Sequence, residues 1–385
     1  MQRYRQRVTK IGVPQTIVSP FDHGLNDSIG IFRIALLIPL RGSAGLWAPS
    51  CIACAQVAVE ELNKADGING RQIELIMIDT AIENDLPVED LVNSLIGIQS
   101  INAIVGMHIS SMRERLKTVV KGRIPYVYTP LYEGGEVARG IFAIGETPEQ
   151  QLGSAIEHLH SVYRPKKWAL IGNDYLWPRV SNVYAKIKFR ALGADLGYEK
   201  YVPFSQPNFF REIEEMINSE SEAVLISLIG QDAVQFNRDF GDLEGHRSMI
   251  RLSGAIEENA LLASGLGGLK RLFSSSSYFA SLKTDRNAAF KEKYFALHGD
   301  LAPTLNTLGQ STYEGIHFLK GLSQICREAW TGAGSQSRLP IIYKSVRNSR
   351  YVSNDQKSLP IYLARADGFF YNVEKELMET ANYNI

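Results

Sequence analysis

The hydrophobic pattern is most informative near the start of the chain. Residues 34–39 are a continuous apolar run, as in a strand that is buried on both faces. Four apolar residues then recur at helical spacing: Ile52, Ala55, Val59 and Leu62. Pro49 suits the first turn of that helix, where its missing N–H costs nothing, and Gly67 ends it before a β-branched run over 73–78. The pattern predicts a strand, a helix and a second strand.

The same alternation of strands and helices continues along most of the chain. Further helices are predicted over 87–100, 111–121, 148–163, 180–192, 209–218, 232–239, 286–298 and 307–330. Further strands are predicted over 102–106, 125–129, 140–145, 168–172, 199–204 and 223–229. Residues 273–279 are expected to return the chain to the first series, and Asp367-Gly368 closes a terminal hairpin over 359–373. Two such series predict an α/β protein with two doubly wound parallel sheets.

Composition limits the size and the partners of the protein. At 385 residues the chain is long for one core and fits two lobes. Its 41 basic residues balance 41 acidic ones, so charge does not favour nucleic acid or an anionic membrane as a partner. Cys51, Cys54 and Cys326 are too few for a disulfide framework. The first two are expected to be small packing residues of the first helix.

The first 30 residues are polar and are expected to form a poorly ordered tail. They lack the apolar core of about 7–15 residues that a secretory signal needs, and no transmembrane segment is visible. Taken at face value, this predicts a cytoplasmic protein. A wrongly assigned start would instead leave room for a periplasmic one.

The first predicted strand–helix–strand unit also contains particular residues that its hydrophobic periodicity does not require. They read A-x-E-x-x-N, then G-I-N-G-R, then I-E-L, and they resemble the first βαβ unit of type I periplasmic-binding-protein-like domains. Members of that family have two lobes that close on a small molecule. The resemblance implies three crossings between lobes, near Thr147, Ser276 and Val346, which form a three-segment hinge. The implied lobes are 31–147 with about 276–346, and 148–275 with about 347–385.

Candidate binding residues follow from the position of the loops. Ligands of open α/β sheets bind beyond the carboxyl ends of the parallel strands. This rule selects five loops: 40–47, 107–111, 128–134, 173–179 and 230–232. Hydroxyl groups there can match a buried amide or carboxylate, and aromatic rings can exclude water from it. Ser43, Trp47, Gly230 and Gln231 are therefore candidate ligand-binding residues.

Two of these loops carry a narrower resemblance. Y-T-P-L-Y-E-G and G-N-D-Y-L-W-P-R-V-S-N are similar to loops of the amide-sensing regulators of aliphatic amidase operons, and of urea and short-chain-amide receptors of ABC transporters. The resemblance implies that Ser110, Tyr128 and Tyr175 line an amide pocket. Pro130 occupies the place of the sensor's ligand-contacting threonine, and Thr129 stands one position earlier. Both are kept as candidate ligand-binding residues, and the identity of the ligand stays open.

Structural roles compete with ligand binding at several positions. Ser110 opens a predicted helix, so it is also a candidate N-cap, and the helix N–H groups there favour an acceptor. Trp47 is equally compatible with a packed loop residue. Arg179 and Glu133 are expected to form structural contacts beside the cleft rather than to contact the ligand.

The sequence offers little support for catalysis. His108 lies two residues from Ser110, but no nucleophile elbow surrounds the serine. No zinc-binding spacing and no phosphate-binding loop occur, so no catalytic residue, metal ligand or cofactor is predicted. His108 is expected to be a packed or solvated histidine, and an amide-hydrolysing enzyme is a remote alternative.

We therefore expect a protein that closes on a short amide, urea or an amino-acid-like molecule. The preferred interpretation is a cytoplasmic ligand sensor, similar to the negative regulators of aliphatic amidase expression, which acts through a regulatory protein partner. The alternative is an extracytoplasmic substrate-binding protein that delivers amides, urea or branched-chain amino acids to an ABC permease. Neither interpretation requires membrane insertion or direct contact with nucleic acid, and both are compatible with a homo-oligomer.

Overall fold

The computed structural model describes residues 30–81, 87–243, 248–324 and 359–377, together with Ile341, Tyr343 and residues 345–347. The expected N-terminal tail, Cys326 and the end of the helix predicted to reach residue 330 lie outside these described residues. Within them the chain forms two α/β lobes, and each lobe is built on its own sheet.

The first sheet contains five parallel strands in the order β2-β1-β3-β4-β5. The strands are β1 (Ile31–Ile38), β2 (Gln72–Asp79), β3 (Ala103–Gly106), β4 (Tyr126–Tyr128) and β5 (Ile141–Ala143). The helices packed on it are α1 (Ala48–Asn63), α2 (Val88–Gly97), α3 (Ser110–Val120), α9 (Asp285–His298) and α10 (Thr307–Ser323). A 3-10 helix over Ser43–Trp47 joins β1 to α1. Helices cover both faces of this sheet, which explains why β1 is apolar throughout most of its length.

The second sheet contains seven strands in the order β12-β11-β10-β9-β8-β6-β7. The strands are β6 (Lys167–Asn173), β7 (Asp195–Val202), β8 (Ala223–Ser227), β9 (Ile250–Ser253), β10 (Leu272–Ser276), β11 (Ile361–Asp367) and β12 (Phe370–Leu377). The helices of this lobe are α4 (Pro148–Tyr163), α5 (Leu176–Ala191), α6 (Phe210–Asn218), α7 (Gly230–Asp242) and α8 (Glu258–Ser264). The strands from β6 to β10 run parallel. The predicted terminal hairpin is confirmed and adds two antiparallel strands to the edge.

Local sequence signals account for several element boundaries. Thr147 and Gln150 form a capping box at the start of α4, and Pro148 occupies its first turn. Cys51 and Cys54 lie fully buried in α1, and burial raises the pKa of Cys51 to about 12. Both are therefore packing residues, as expected.

The second sheet differs from the sequence prediction most at β9 and β10, and β7 also begins four residues earlier than the strand predicted over 199–204. No strand is predicted at β9, because Arg251 is a charged residue within a run of only four. The fold buries this side chain and pairs its guanidinium with Asn237 Oδ1 at 2.8 Å and the Gly268 carbonyl at 2.6 Å. Residues 273–279 were expected to be a return crossing, whereas most of them belong to β10 and the return begins at Ser277. Helix α5 also begins four residues earlier than predicted.

The chain passes between the two lobes at three places. It leaves β5 in the first lobe and enters α4, which packs in the second. After β10 it returns, and Tyr278 joins the core of the first lobe. Val346 still packs on that core, whereas β11 lies in the second sheet. The predicted α/β fold of two doubly wound lobes is confirmed, and the detailed lobe boundaries stay a prediction.

A buried cluster joins the three crossings. Glu146 Oε1 accepts a hydrogen bond from the Ser277 N–H at 2.8 Å, and Arg347 Nη1 lies 3.7 Å from the same oxygen. Arg347 Nη1 also donates to Ser277 Oγ at 2.6 Å, and its Nη2 donates to the Thr307 carbonyl at 2.7 Å. The contacts of Glu146 reach across more than 130 positions of the chain, and those of Arg347 reach across 70 and 40. The three crossings therefore form one connected hinge.

Candidate ligand-binding site between the lobes

A small cavity lies between the lobes, at the carboxyl ends of strands from both sheets. The first lobe contributes Trp47, His108, Ile109, Ser110, Tyr128, Pro130, Leu131 and Leu308 to its lining. The second lobe contributes Tyr175, Ile229, Ala255 and Glu257. The volume of the cavity is about 20 Å³, which is on the order of the space that one water molecule needs. The two lobes are therefore closed on each other.

Direct contacts across the cleft accompany this closed arrangement. Gly230 begins α7 with a φ of 52°, and a Cβ atom added there would lie 1.9 Å from the carbonyl oxygen of Ser43. Ser43 Oγ lies 3.1 Å from Ser205 Oγ, and Asn259 Nδ2 donates to the Leu46 carbonyl at 2.9 Å. Since glycine permits both the positive φ and the close approach, the 3-10 helix of the first lobe can rest on the start of α7.

Ser110 and Tyr128 form one wall of the cavity. Ser110 is the first residue of α3, and Ile109 occupies the N-cap position, so the alternative N-cap role of Ser110 is not observed. Tyr128 ends β4 and donates its hydroxyl hydrogen to the His108 carbonyl at 2.8 Å. The Tyr128 hydroxyl also interacts with the Ser110 side chain. The two hydroxyl groups therefore lie next to each other at the wall.

His108 and Arg179 make structural contacts, as expected from the sequence. His108 Nε2 lies 2.8 Å from the Tyr126 hydroxyl oxygen, and burial lowers the pKa of the imidazole to about 3. The ring is therefore neutral near pH 7, and its Nε2 hydrogen bond is to Tyr126 rather than to Ser110. Arg179 Nη2 lies 2.6 Å from Asp174 Oδ1 at the surface.

A buried ionic network supports Tyr128 from behind. Arg113 follows Ser110 by one turn of α3, and its guanidinium carbon lies 4.9 Å from the centroid of the Tyr128 ring. Arg113 Nη1 is 2.8 Å from Glu133 Oε2, and its Nε is 3.0 Å from Glu136 Oε2. Glu133 thus makes the structural contact expected of it. The cation–π contact and the ion pairs together hold the loop after β4 against α3.

The structure brings together only some of the predicted ligand-binding residues. Five of them line the cavity: Trp47, Ser110, Tyr128, Pro130 and Tyr175. Thr129 is buried outside the lining and donates from Oγ1 to the Gly106 carbonyl at 3.2 Å. Gln231 is exposed and is also absent from the lining, and Ser43 and Gly230 form the closure contact. A role in ligand binding stays a prediction for all nine residues.

Glu257 lines the cavity but was not among the candidates drawn from the sequence. It occupies the N-cap position of α8 and is only 2% exposed. Within the described part of the chain, neither carboxyl oxygen has a hydrogen-bond partner in another residue. Burial raises the pKa of this carboxyl to about 8. Because Glu257 follows β9, recognising that strand would have selected its loop by the same strand-end rule.

The cavity also offers hydrogen-bond donors. The Trp47 indole N–H is buried and has no partner among the residues described. Four helices begin at the cavity, and their N-cap residues all line it: Ile109, Tyr175, Ile229 and Glu257. Helix N-termini carry partial positive charge and free N–H groups, which favour oxygen acceptors and anions. The cavity therefore combines one unpartnered carboxyl with several groups that favour an acceptor.

Comparison with known proteins agrees with this architecture. A family model described as periplasmic binding protein matches residues 32–338. The chain belongs to the periplasmic binding protein family. The resemblance to type I periplasmic-binding-protein-like domains that the first βαβ unit indicated is thereby confirmed.

Several solved structures of transporter substrate-binding proteins have a similar fold. A solute-binding protein of an ABC transporter from R. palustris, in complex with 4-hydroxybenzoate, is 15% identical with a TM-score of 0.76, over 91% of this chain and 98% of that chain. LivJ from Streptococcus pneumoniae, in complex with isoleucine, is 15% identical and has a TM-score of 0.75. The match covers 90% of this chain and 99% of LivJ. A fatty acid ABC transporter substrate-binding protein from Thermomonospora curvata is 14% identical and has a TM-score of 0.76. The match covers 91% of this chain and 93% of that protein. At these identities the likeness shows the fold alone.

Membrane-spanning helices and clustered metal ligands are both absent from the described residues. None of the helices in the described ranges has both the length and the hydrophobicity that a membrane span requires. Those ranges contain no group of three or more His, Cys, Asp or Glu side chains placed to hold a metal ion.

Proposed function

We propose that this protein is the substrate-binding component of an ABC transporter. We further propose a small ligand with N–H groups at one end and oxygen acceptors at the other, as in an amino acid or a short amide. Family membership and the solute-binding role of the solved neighbours support the first part. These neighbours favour transport over the cytoplasmic sensing that was preferred from the sequence. The proposal implies a location outside the cytoplasm and an ABC permease as partner.

The proposed class of ligand rests on the buried carboxyl of Glu257, which has no hydrogen-bond partner in another described residue. A buried polar group without a partner costs roughly 1–3 kcal/mol. A ligand N–H group that reaches Glu257 removes this cost and gains a charge-assisted hydrogen bond. An ammonium group requires the ionised carboxylate, whereas the carbonyl of a neutral amide can also accept a hydrogen bond from the protonated form.

Groups across the cavity suit the acceptor end of such a ligand. The Ser110 hydroxyl, the Trp47 N–H and the start of α3 can each face a carboxylate or carbonyl oxygen. The rings of Tyr128 and Tyr175 provide flat walls between the two ends.

The proposed contacts explain closure. Glu257 belongs to the second lobe and Ser110 to the first. A ligand that touches both residues binds the closed form better than the open form, so it shifts the population towards closure.

Isothermal titration calorimetry with a ligand panel tests this proposal. The panel contains isoleucine, glutamine, acetamide, urea and 4-hydroxybenzoate. We expect an amino acid or an amide to bind, and Glu257→Gln to weaken binding of an ammonium ligand at least tenfold. Glu258→Gln is the matched control, because the Glu258 carboxyl accepts from the Ala280 N–H at 2.8 Å and does not line the cavity. Binding of 4-hydroxybenzoate alone, unaffected by Glu257→Gln, would contradict the ligand class.

The same titrations distinguish an ammonium ligand from a neutral amide. Because the Glu257 pKa is raised to about 8, most of this carboxyl is protonated near pH 7, and an ammonium ligand should displace the proton. Titration in buffers of different ionisation enthalpy then gives close to one proton released per ligand. A neutral amide should release none.

The role in the cell needs a separate test. Deletion of this chain should abolish uptake of the labelled ligand if it serves a transporter. Intact uptake, with altered expression of an amidase, would restore the sensor interpretation. Ammonia release from a bound amide above a protein-free control would instead show an enzyme.

A further inference from the structure

A second and larger cavity lies in the first lobe. It is lined by residues of α9, by Tyr313 of α10, and by Tyr343, Ser345 and Val346. It shares no lining residue with the cleft cavity. Its volume is about 310 Å³, which reaches the lower end of the range of about 300–1,000 Å³ for small-molecule sites.

One face of α9 forms a side of this cavity. Arg286, Ala289, Phe290 and Lys293 line it. Their spacing of three, four and seven residues places all four on the same face of the helix. The apolar residues of this face lie between its two cationic ends.

Three aromatic side chains line the cavity, and the Phe290–Tyr313 pair forms its floor. The ring centroids of Phe290 and Tyr313 are 4.7 Å apart, and both side chains are buried. Tyr343 also lines the cavity and packs edge-on against Phe318, with ring centroids 5.6 Å apart. Several flat aromatic surfaces in one cavity suit a planar ring.

The charges around the cavity do not cancel. Lys293 Nζ is 2.9 Å from Glu61 Oε1, so this lysine is balanced by an acid. Arg286 donates from Nη1 to the Ser345 carbonyl at 3.2 Å. No carboxylate of the described residues lies within ion-pair distance of Arg286. The guanidinium at the rim therefore leaves a net positive charge beside the aromatic floor.

We propose that this cavity is a second ligand site, which takes a small planar carboxylate with one or two aromatic rings. The ring lies between the Phe290–Tyr313 floor and Tyr343. The carboxylate pairs with Arg286, whose planar guanidinium suits bidentate contact with two oxygens. The site is independent of the ligand and the role proposed for the cleft.

The test compares indole-3-acetate with its neutral counterpart, indole-3-acetamide, by isothermal titration calorimetry on the full chain. These probes differ in charge but hardly in shape. We expect the carboxylate to bind at least tenfold more tightly than the amide. Arg286→Gln should remove this preference, and it is suited to the test because Arg286 is exposed.

Two further variants keep the result interpretable. Lys283→Gln removes a neighbouring exposed cation outside the cavity and should leave the preference unchanged. Ser110→Ala alters only the cleft cavity and should also leave it unchanged. Equal affinity for the two probes, absence of binding, or a preference that survives Arg286→Gln would overturn the proposal. Loss of carboxylate binding in Ser110→Ala would place the probe in the cleft and would overturn it as well.

Discussion

At the scale of single residues, Glu257 combines an expected gain in binding with a cost in stability. Its pKa is raised from 4.5 to about 8 by burial. Between these values the folded state holds a proton that the unfolded state has lost. The free energy of unfolding therefore falls as the pH rises through this window. A residue that destabilises the free protein in this way is typical of a binding site.

The first prediction concerns Glu257→Gln. Its amide cannot ionise, so the variant should be more stable than the wild type by about 1–3 kcal/mol near pH 9. The two proteins should differ little near pH 4, where both carry a neutral side chain. Urea denaturation at the two pH values measures the difference. Glu149→Gln, at an exposed position, is the control and should show no such pH-dependent gain.

The second prediction concerns the hydroxyl groups of the cleft. Tyr175→Phe and Ser110→Ala should each weaken ligand binding by about 1–3 kcal/mol, because a buried polar group of the ligand then loses its partner. Stability should change much less, since neither substitution opens a large cavity. Calorimetric titration with the ligand found in the panel gives the affinities. Tyr184→Phe on α5, which lies outside the cavity lining, should bind as the wild type does, and equal affinities for all variants would place the site elsewhere.

At the scale of secondary-structure elements, α3 positions the wall of the site. Ser110 and Arg113 stand one turn apart on it, and Arg113 holds the loop after β4 through Tyr128 and Glu133. The strand-end rule predicted this wall because β3 and β4 are apolar and clearly bounded. It did not predict the wall that carries Glu257, since β9 is short and contains Arg251. A charged residue in so short a run does not predict a buried strand. Arg251 can be buried in β9 because its guanidinium forms hydrogen bonds inside the protein.

The third prediction concerns this network. Arg113→Met leaves Glu133 buried without the cation it pairs with and leaves Glu136 paired with Lys117 alone, at 2.9 Å. The loss should lower the free energy of unfolding by about 3–5 kcal/mol. Arg115→Met is the control on the same helix: its side chain is 52% exposed and pairs with Glu89 at 3.2 Å. It should cost less than about 1 kcal/mol. Chemical denaturation of both variants measures these costs, and equal effects would show that the buried network adds nothing.

At the scale of the whole molecule, closure brings two backbones into contact at Gly230. The Gly230 backbone approaches the Ser43 carbonyl so closely that no side chain fits between them. Such a contact exists only when the lobes are together. A substitution at Gly230 should therefore destabilise the closed form without changing the fold of either lobe.

The fourth prediction concerns Gly230→Ala. Its Cβ would collide with the Ser43 carbonyl in the closed form, so ligand affinity should fall at least tenfold. Ligand should also fail to reduce the radius of gyration measured by small-angle X-ray scattering. Gly193→Ala is the matched control, with a φ of 69° and open space around its Cβ. Gly193→Ala introduces the same backbone strain of about 1 kcal/mol, and this variant should close normally. Closure of Gly230→Ala on the ligand would show that the Gly230–Ser43 contact does not control closure.

Apart from the region around β9, α8 and β10, the sequence by itself determined the order of strands and helices. It also determined the two-lobed α/β fold and the loops of the first lobe where Ser110 and Tyr128 lie. These features follow from local periodicity and from short motifs, which a linear sequence contains in full. The tertiary structure decided which loops meet. It brought Glu257 and Ser110 to the lining of one cavity, left Thr129 outside that lining and set Gly230 against Ser43. Those outcomes depend on packing between segments far apart in the chain, and no local pattern encodes the distance between them.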